Sequence, residues 1–247
     1  MARRIKNEID GLLLVDKPMD WTSHDVVNCI RSRFQLSKVG HCGTLDPIAT
    51  GLLVLLLGRA TKLQNRLMSE DKVYTGTMRL GVETDTEDRA GVITATADAG
   101  GVTPEQVQRV AARFIGPQQQ TPPMVSAIKK DGKPLYKLAR KGEVVERKSR
   151  PIVIHALELP RIALPDADFR VHCSKGTYIR TLCADMGRAL GCGAHMLELR
   201  RESSGSFQVT DAVGIDAIKS WELSELLQHV RPLAAVIAGL LAEQERA

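Results

Sequence analysis

Residues 40–51 read Gly-His-Cys-Gly-Thr-Leu-Asp-Pro-Ile-Ala-Thr-Gly, with one carboxylate, Asp46, at their centre and the aliphatic run Leu52–Leu57 directly behind them. A polar, glycine-punctuated loop running into a buried strand is how many folds hold a reactive side chain on a rigid base. Glycines at 40, 43 and 51 permit tight turns and close approach of a ligand to the backbone. Pro47 fixes the chain immediately after the acid. Taken in isolation, the Asp-Pro pair reads as a surface turn whose carboxylate bonds its own backbone. The segments around it decide between that turn and a reactive acid.

Outward from this loop, the chain of 247 residues is 43% hydrophobic and 26% charged, ordinary values for a globular protein with room for one large core or two modest ones. The start, Met-Ala-Arg-Arg-Ile-Lys-Asn-Glu, lacks the apolar centre of a signal peptide, and Leu52–Leu57 is too short to cross a bilayer. These features predict a cytoplasmic protein with no membrane partner. The five cysteines, at 29, 42, 173, 183 and 192, form no Cys-x-x-Cys pair and suggest neither a disulfide framework nor a zinc site.

Charge is unevenly placed. Residues 124–151 hold nine basic side chains against three acids, so the entire positive excess of a +5 chain lies there. Such a concentration fits a polyanion-binding feature, nucleic acid above all, with a solvated helical face as the alternative. Gly132, Pro134 and Gly142 break any strand period, which predicts a projecting loop with a helical turn or two around Leu135–Arg140.

Elsewhere, the patterns predict strands over 11–15, 52–57, 73–80, 91–97, 152–159, 169–173, 197–201 and 207–209. Thr22, with Asp25 three residues on, opens a first helix, and Thr103-Pro104 opens another that runs to about Ile115. Further helices are expected over 60–68, over 181–190 with a stop at Gly191, and over 215–230 and 233–245. Strands and helices mix without regular alternation, which argues for an α+β class.

Five segments then fall into one order: Asp16-Lys17-Pro18; the acid loop; Tyr74 heading a strand that runs through Arg79-Leu80-Gly81 into Thr84-Asp85-Thr86-Glu87-Asp88 and Gly91; Ser126 to Arg140; and Cys173-Ser-Lys-Gly-Thr-Tyr-Ile-Arg180, followed by Asp185, Gly187 and 190–194. Together, over about residues 11–210, they resemble the TruB-type tRNA pseudouridine synthases. The resemblance implies a pseudouridine synthase catalytic fold over residues 1–247. Its parts are a mixed, mainly antiparallel sheet, flanking helices, a thumb loop at 124–151 and terminal helices at 215–245. It also implies isomerisation of uridine 55 in the T-loop of tRNA.

That reaction breaks the uracil N1–C1′ bond, turns the base and rejoins it through C5, and it needs neither cofactor nor metal. No P-loop, dinucleotide fingerprint or metal-spaced cluster is present in the sequence. The resemblance assigns Asp46 as the catalytic carboxylate, whether it adds to the base, adds to C1′, or helps remove the C2′ proton. It assigns Arg180 as the cation that keeps Asp46 ionised. Tyr74 is the stacking platform and a candidate base for the C5 proton, Tyr178 and Leu199 are lining residues, and His41 fills the gap left by the flipped nucleotide. Lys17 and Pro18 are expected to brace the acid loop rather than touch the base. Asp20 stands where the family turn usually has Gly, a position Asp tolerates at positive φ. The ending at Ala247 leads to the expectation of a protein without the PUA domain that bacterial members commonly carry, recognising the T-arm alone; a monomer is expected as well.

Overall fold

A computed structural model describes residues 7–126, 129–130, 132–135, 143 and 145–244. Along the chain come β1 (Gly11–Lys17), α1 (Ser23–Arg33), β2 (Val39–Cys42), β3 (Thr50–Leu57), a 3-10 turn at Gly58–Leu63, α2 (Gln64–Met68), β4 (Lys72–Leu80), β5 (Val82–Thr84) and β6 (Ile93–Thr96). Then follow α3 (Pro104–Arg113), β7 (Gly116–Gln120), β8 (Lys129–Lys130), β9 (Lys133–Pro134), β10 (Arg150–Ala163), β11 (Asp166–Cys173) and α4 (Ile179–Leu190). The chain closes with β12 (Ala194–Ser204), β13 (Phe207–Gln208), β14 (Val213–Gly214), α5 (Ile215–Ser220), α6 (Leu223–His229), β15 (Arg231–Pro232) and α7 (Leu233–Gln244). The class is α+β, as the irregular mixture of patterns predicts.

The chain divides into two compact units, Met1–Lys72 with Arg200–Ala247, and Val73–Leu199. In the first, β1 pairs antiparallel with β3 from Gly11 opposite Leu57 to Lys17 opposite Gly51, and β2 pairs antiparallel with the far end of β3. β14 adds parallel to β1, and Arg200 and Arg201 of β12 add parallel to Thr50 and Gly51. One face of this sheet builds a cluster from Leu12, Leu14, Cys42, Leu52, Val54, Leu56, Leu67, Phe207 and Val236. Leu13, Val15, Leu53, Leu55 and Leu57 on the opposite face are also buried. Burial on both faces is why these strands read as unbroken aliphatic runs rather than alternating ones.

In the second unit the strand order is β12–β4–β11–β10–β7, with β10 antiparallel to both β11 and β7. Helix α3 packs on β10 and α4. Its start carries the Thr103 cap, reciprocated by Gln106, with Pro104 in the first turn. The expected stop at Gly191 is a left-handed C-cap at φ 81°.

Three expectations change. The helix expected over 215–230 is two helices, α5 and α6. Trp221 takes an extended conformation, and Glu222 opens a new capping box with Glu225. The local cap outweighs continued periodicity. The basic segment, read as a loop with helical turns, contains a small ribbon in which β8 and β9 pair antiparallel, Lys129 opposite Pro134 and Lys130 opposite Lys133. Residues 136–140, where the helical turns are expected to continue, lie outside the described residues, as do Lys141 and Gly142. Finally, the helix expected over 181–190 starts earlier, at Ile179, so Arg180 stands in its first turn.

Candidate active site

Asp46 lies in the connection between β2 and β3, and its residue is half-buried. The strands on either side are paired from Cys42 opposite Val54 onward, so the loop leaves a rigid hairpin and returns to it. Three side chains hold it there. Lys17, fully buried at the end of β1, donates from Nζ to the Pro18 carbonyl at 2.8 Å, the Trp21 carbonyl at 2.6 Å and the Pro47 carbonyl at 3.3 Å. Ser23 Oγ, in the first turn of α1, accepts from the Leu45 amide at 2.8 Å and donates to the Leu45 carbonyl at 3.2 Å. Arg201, 1% exposed, donates to the Leu52 carbonyl at 2.7 Å and the Gly43 carbonyl at 3.1 Å. Backbone bonds complete the bracing, Asp20 N to Pro47 O at 2.8 Å and Ala49 N to Asp46 O at 3.0 Å.

The expected bracing role of Lys17 is therefore met, and Asp20 does take φ 64°. Ser23 and Arg201 are additions to the sequence reading. The signal for Arg201 was present as a charged residue inside a strand pattern, a placement that calls for buried carbonyl partners. Ser23, next to a Thr22 cap, carries no such signal.

Electrostatics in this unit follow from burial. The Lys17 ammonium is pushed down to about 8, mainly by desolvation, against the pull of Asp46 and Asp20. Burial likewise holds His41 below its ordinary value, with Arg201 and His24 adding repulsion, so its imidazole is neutral at pH 7. The His41 carbonyl accepts from Gln64 Nε2 at 3.0 Å, which fixes its backbone next to the acid loop. The Cys42 thiol is raised to about 12 by burial and is inert as a nucleophile.

The second unit holds Tyr74, Tyr178, Arg180 and Leu199. Tyr74 and Leu199 are buried, on β4 and β12. The Arg180 guanidinium, 3% exposed, donates from Nη1 to the Thr86 carbonyl and from Nη2 to the Val125 carbonyl, both at 2.9 Å. Asp88 Oδ2 lies 3.5 Å from Nη1. Asp88 is itself fixed, because its Oδ1 accepts from Thr86 Oγ1 at 2.6 Å and from the Ala90 amide at 3.0 Å. The Thr-Asp-Thr-Glu-Asp run is thus a cradle for Arg180. Tyr178 is held by a reciprocal pair with Gln120: its amide donates to Oε1 at 2.8 Å and its carbonyl accepts from Nε2 at 3.0 Å. Arg150, which also bonds the Gly176 carbonyl, places its guanidinium carbon 4.8 Å from the Tyr178 ring centroid. The basic segment therefore ends on an aromatic expected to line the substrate site.

Residues 31–179 match the TruB family pseudouridylate synthase N-terminal domain, and residues 180–238 match the tRNA pseudouridylate synthase B C-terminal domain. The chain is 49% identical over 228 residues to the tRNA pseudouridine synthase B of Opitutus terrae, covering 92% of this chain and 95% of that protein. It is 53% identical over 211 residues to the protein of the same name from Syntrophotalea carbinolica, covering 85% and 69%. Among solved structures, it resembles a chain in the crystal structure of a Cbf5–Nop10–Gar1 complex, with a TM-score of 0.71 and 30% identity. That match covers 90% of this chain and 60% of the other. The chain belongs to the TruB family of pseudouridylate synthases.

Proposed function

We propose that this protein isomerises uridine 55 in the T-loop of tRNA to pseudouridine, without metal or cofactor, with Asp46 as the catalytic carboxylate. The observation that carries this reading is a single half-buried acid held at a loop apex by Lys17, Ser23 and Arg201, in a chain of the TruB family. The protein is an isomerase acting on tRNA. The N1–C1′ bond breaks with the ionised Asp46 beside it and its electron pair stays on the uracil; the uracil turns, a C5–C1′ bond forms, the C5 proton leaves to a base, and N1 takes up a proton.

The target base must leave its stack, and aromatic and polar contacts offset that cost. Tyr74 stacks on the flipped base and takes the C5 proton. Tyr178 and Leu199 line the base, and Arg180 contributes positive charge to the substrate site. Neutral His41 fills the vacated stack without adding charge. The basic segment 124–151 tracks the phosphates of the T-arm, residues 1–247 work as one catalytic domain, and the protein acts as a cytoplasmic monomer.

Tritium release from C5-labelled uridine tests this directly. A T-arm transcript should release tritium, with the same rate in EDTA once RNA folding is controlled, whereas free uridine should not. Release from free uridine would point to a nucleoside enzyme, and RNA binding without release would point to a tRNA-binding or folding protein.

A further inference from the structure

Glu87 is one of three described residues other than glycine with positive φ, at 61°. Asp20 fits such a position by its short polar side chain, but Glu has no such advantage, and the conformation survives only where surroundings enforce it. The enforcing bonds are visible. Glu87 N donates to the Thr84 carbonyl at 3.1 Å, and the Glu87 carbonyl accepts from the Met196 amide at 3.0 Å. Its side chain accepts at Oε2 from Thr181 Oγ1 at 2.6 Å, and Thr181 is 2% exposed. Burial pushes this carboxyl above its usual range, so holding it there costs free energy that a neutral residue would not.

The two ends of that tether are specific. Glu87 sits between Thr86, whose carbonyl accepts from Arg180, and Asp88, whose carboxylate faces Arg180. Thr181 directly follows Arg180 in the first turn of α4. The Glu87–Thr181 bond therefore joins the two segments whose separation sets where the guanidinium lies. We propose that Glu87 is a positioning residue that, through Thr181, holds the Thr84–Asp88 cradle at the distance Arg180 needs for the reaction. The proposal rests on the reading of Arg180 as a substrate-site residue.

Glycine at this position removes the tether yet suits a positive φ, so it separates positioning from folding. Glu87→Gly should keep or raise the thermal midpoint and leave the KM for an unmodified tRNA transcript within about twofold. It should lower kcat by about tenfold or more, the order expected when a reacting group is slightly misplaced. Thr181→Val should lower kcat alike, and combining the two should add little, since both cut one bond. Glu87→Gln and Thr181→Ser retain an acceptor and a donor and should hold kcat near wild type. Wild-type kcat in both Glu87→Gly and Thr181→Val, with Arg180→Met inactive, overturns the positioning role alone. Wild-type kcat in Arg180→Met removes the role of Arg180 and this inference with it.

Discussion

Asp46 combines ordinary chemistry with an unusual amount of support. A carboxylate in an unbraced loop would sample many positions, and each would reduce the fraction aligned with a glycosidic bond. Asp46→Asn keeps the shape of the side chain and leaves the residues that bond the loop backbone at Leu45, Pro47 and the Asp46 carbonyl in place. It should abolish tritium release while a filter-binding assay shows tRNA affinity within about threefold of wild type. Turnover by this variant above contaminating wild-type levels would take the central role away from Asp46.

Lys17 offers a second test at this scale. Its folded value of about 8 lies below the 10.5 of an unperturbed lysine. Between those values the unfolded chain keeps the proton that the folded chain gives up. The unfolded state thus binds more protons, and stability rises with pH across that window. The Cys42 and Cys183 thiols, both raised by burial, work in the opposite sense from about pH 8 upward, where the unfolded thiols begin to ionise and the buried ones do not. The denaturation midpoint should therefore climb more from pH 8 to 9 in the wild type than in Lys17→Met. An equal climb in both proteins would show that Lys17 is not the group responsible.

At the scale of elements, the acid loop depends on how closely β3 approaches β12. Gly51 has φ 97°, and a Cβ there would overlap the Arg201 carbonyl oxygen and stand 2.7 Å from the Arg201 nitrogen. Those atoms belong to the residue whose side chain braces Gly43 and Leu52. Gly51→Ala should therefore cost roughly 3 kcal/mol of stability, from backbone strain plus overpacking, and reduce activity beyond what unfolding explains. Urea unfolding and kcat at a temperature where the variant stays folded check both parts; a loss below about 1 kcal/mol would show that the strands can part without consequence.

The split of the expected 215–230 helix belongs to the same scale. Both halves carry helical periodicity. The decision falls to Glu222 and Glu225, whose mutual bonds satisfy amides that a new helix start leaves open. Periodicity locates apolar faces, whereas a cap competes for individual N–H groups and wins locally.

For the molecule as a whole, the expected extent of one catalytic domain meets a chain with two compact units, dividing at 72/73 and 199/200. The two matched family segments meet instead at 179/180. RNA binding by the whole protein should follow its charge placement. Neutralising Lys129, Lys130, Lys133 and Lys137 together should weaken tRNA binding and flatten its salt dependence. Each lost phosphate contact should lower the log–log slope by about 0.7–0.9. An unchanged slope would mark residues 124–151 as a solvated face. No helix among the described residues is long and apolar enough to cross a membrane.

Several features were legible in the sequence because they depend on short-range chemistry. Examples are the Thr22 and Thr103 caps, the left-handed stop at Gly191, the doubly buried aliphatic strands, and the glycine-framed acid at 46. The α+β class followed from the same local patterns, and the ordered motifs carried the family. Only the tertiary structure could show that Ser23 and Arg201 hold the acid loop, 22 and 158 positions from the backbone they bond. The same holds for Asp88 and Val125 meeting Arg180, and for Thr181 tying down Glu87. Those bonds join segments far apart along the chain. Their formation depends on where sheet register and helix packing bring buried polar groups, and a buried polar atom accepts whichever partner arrives.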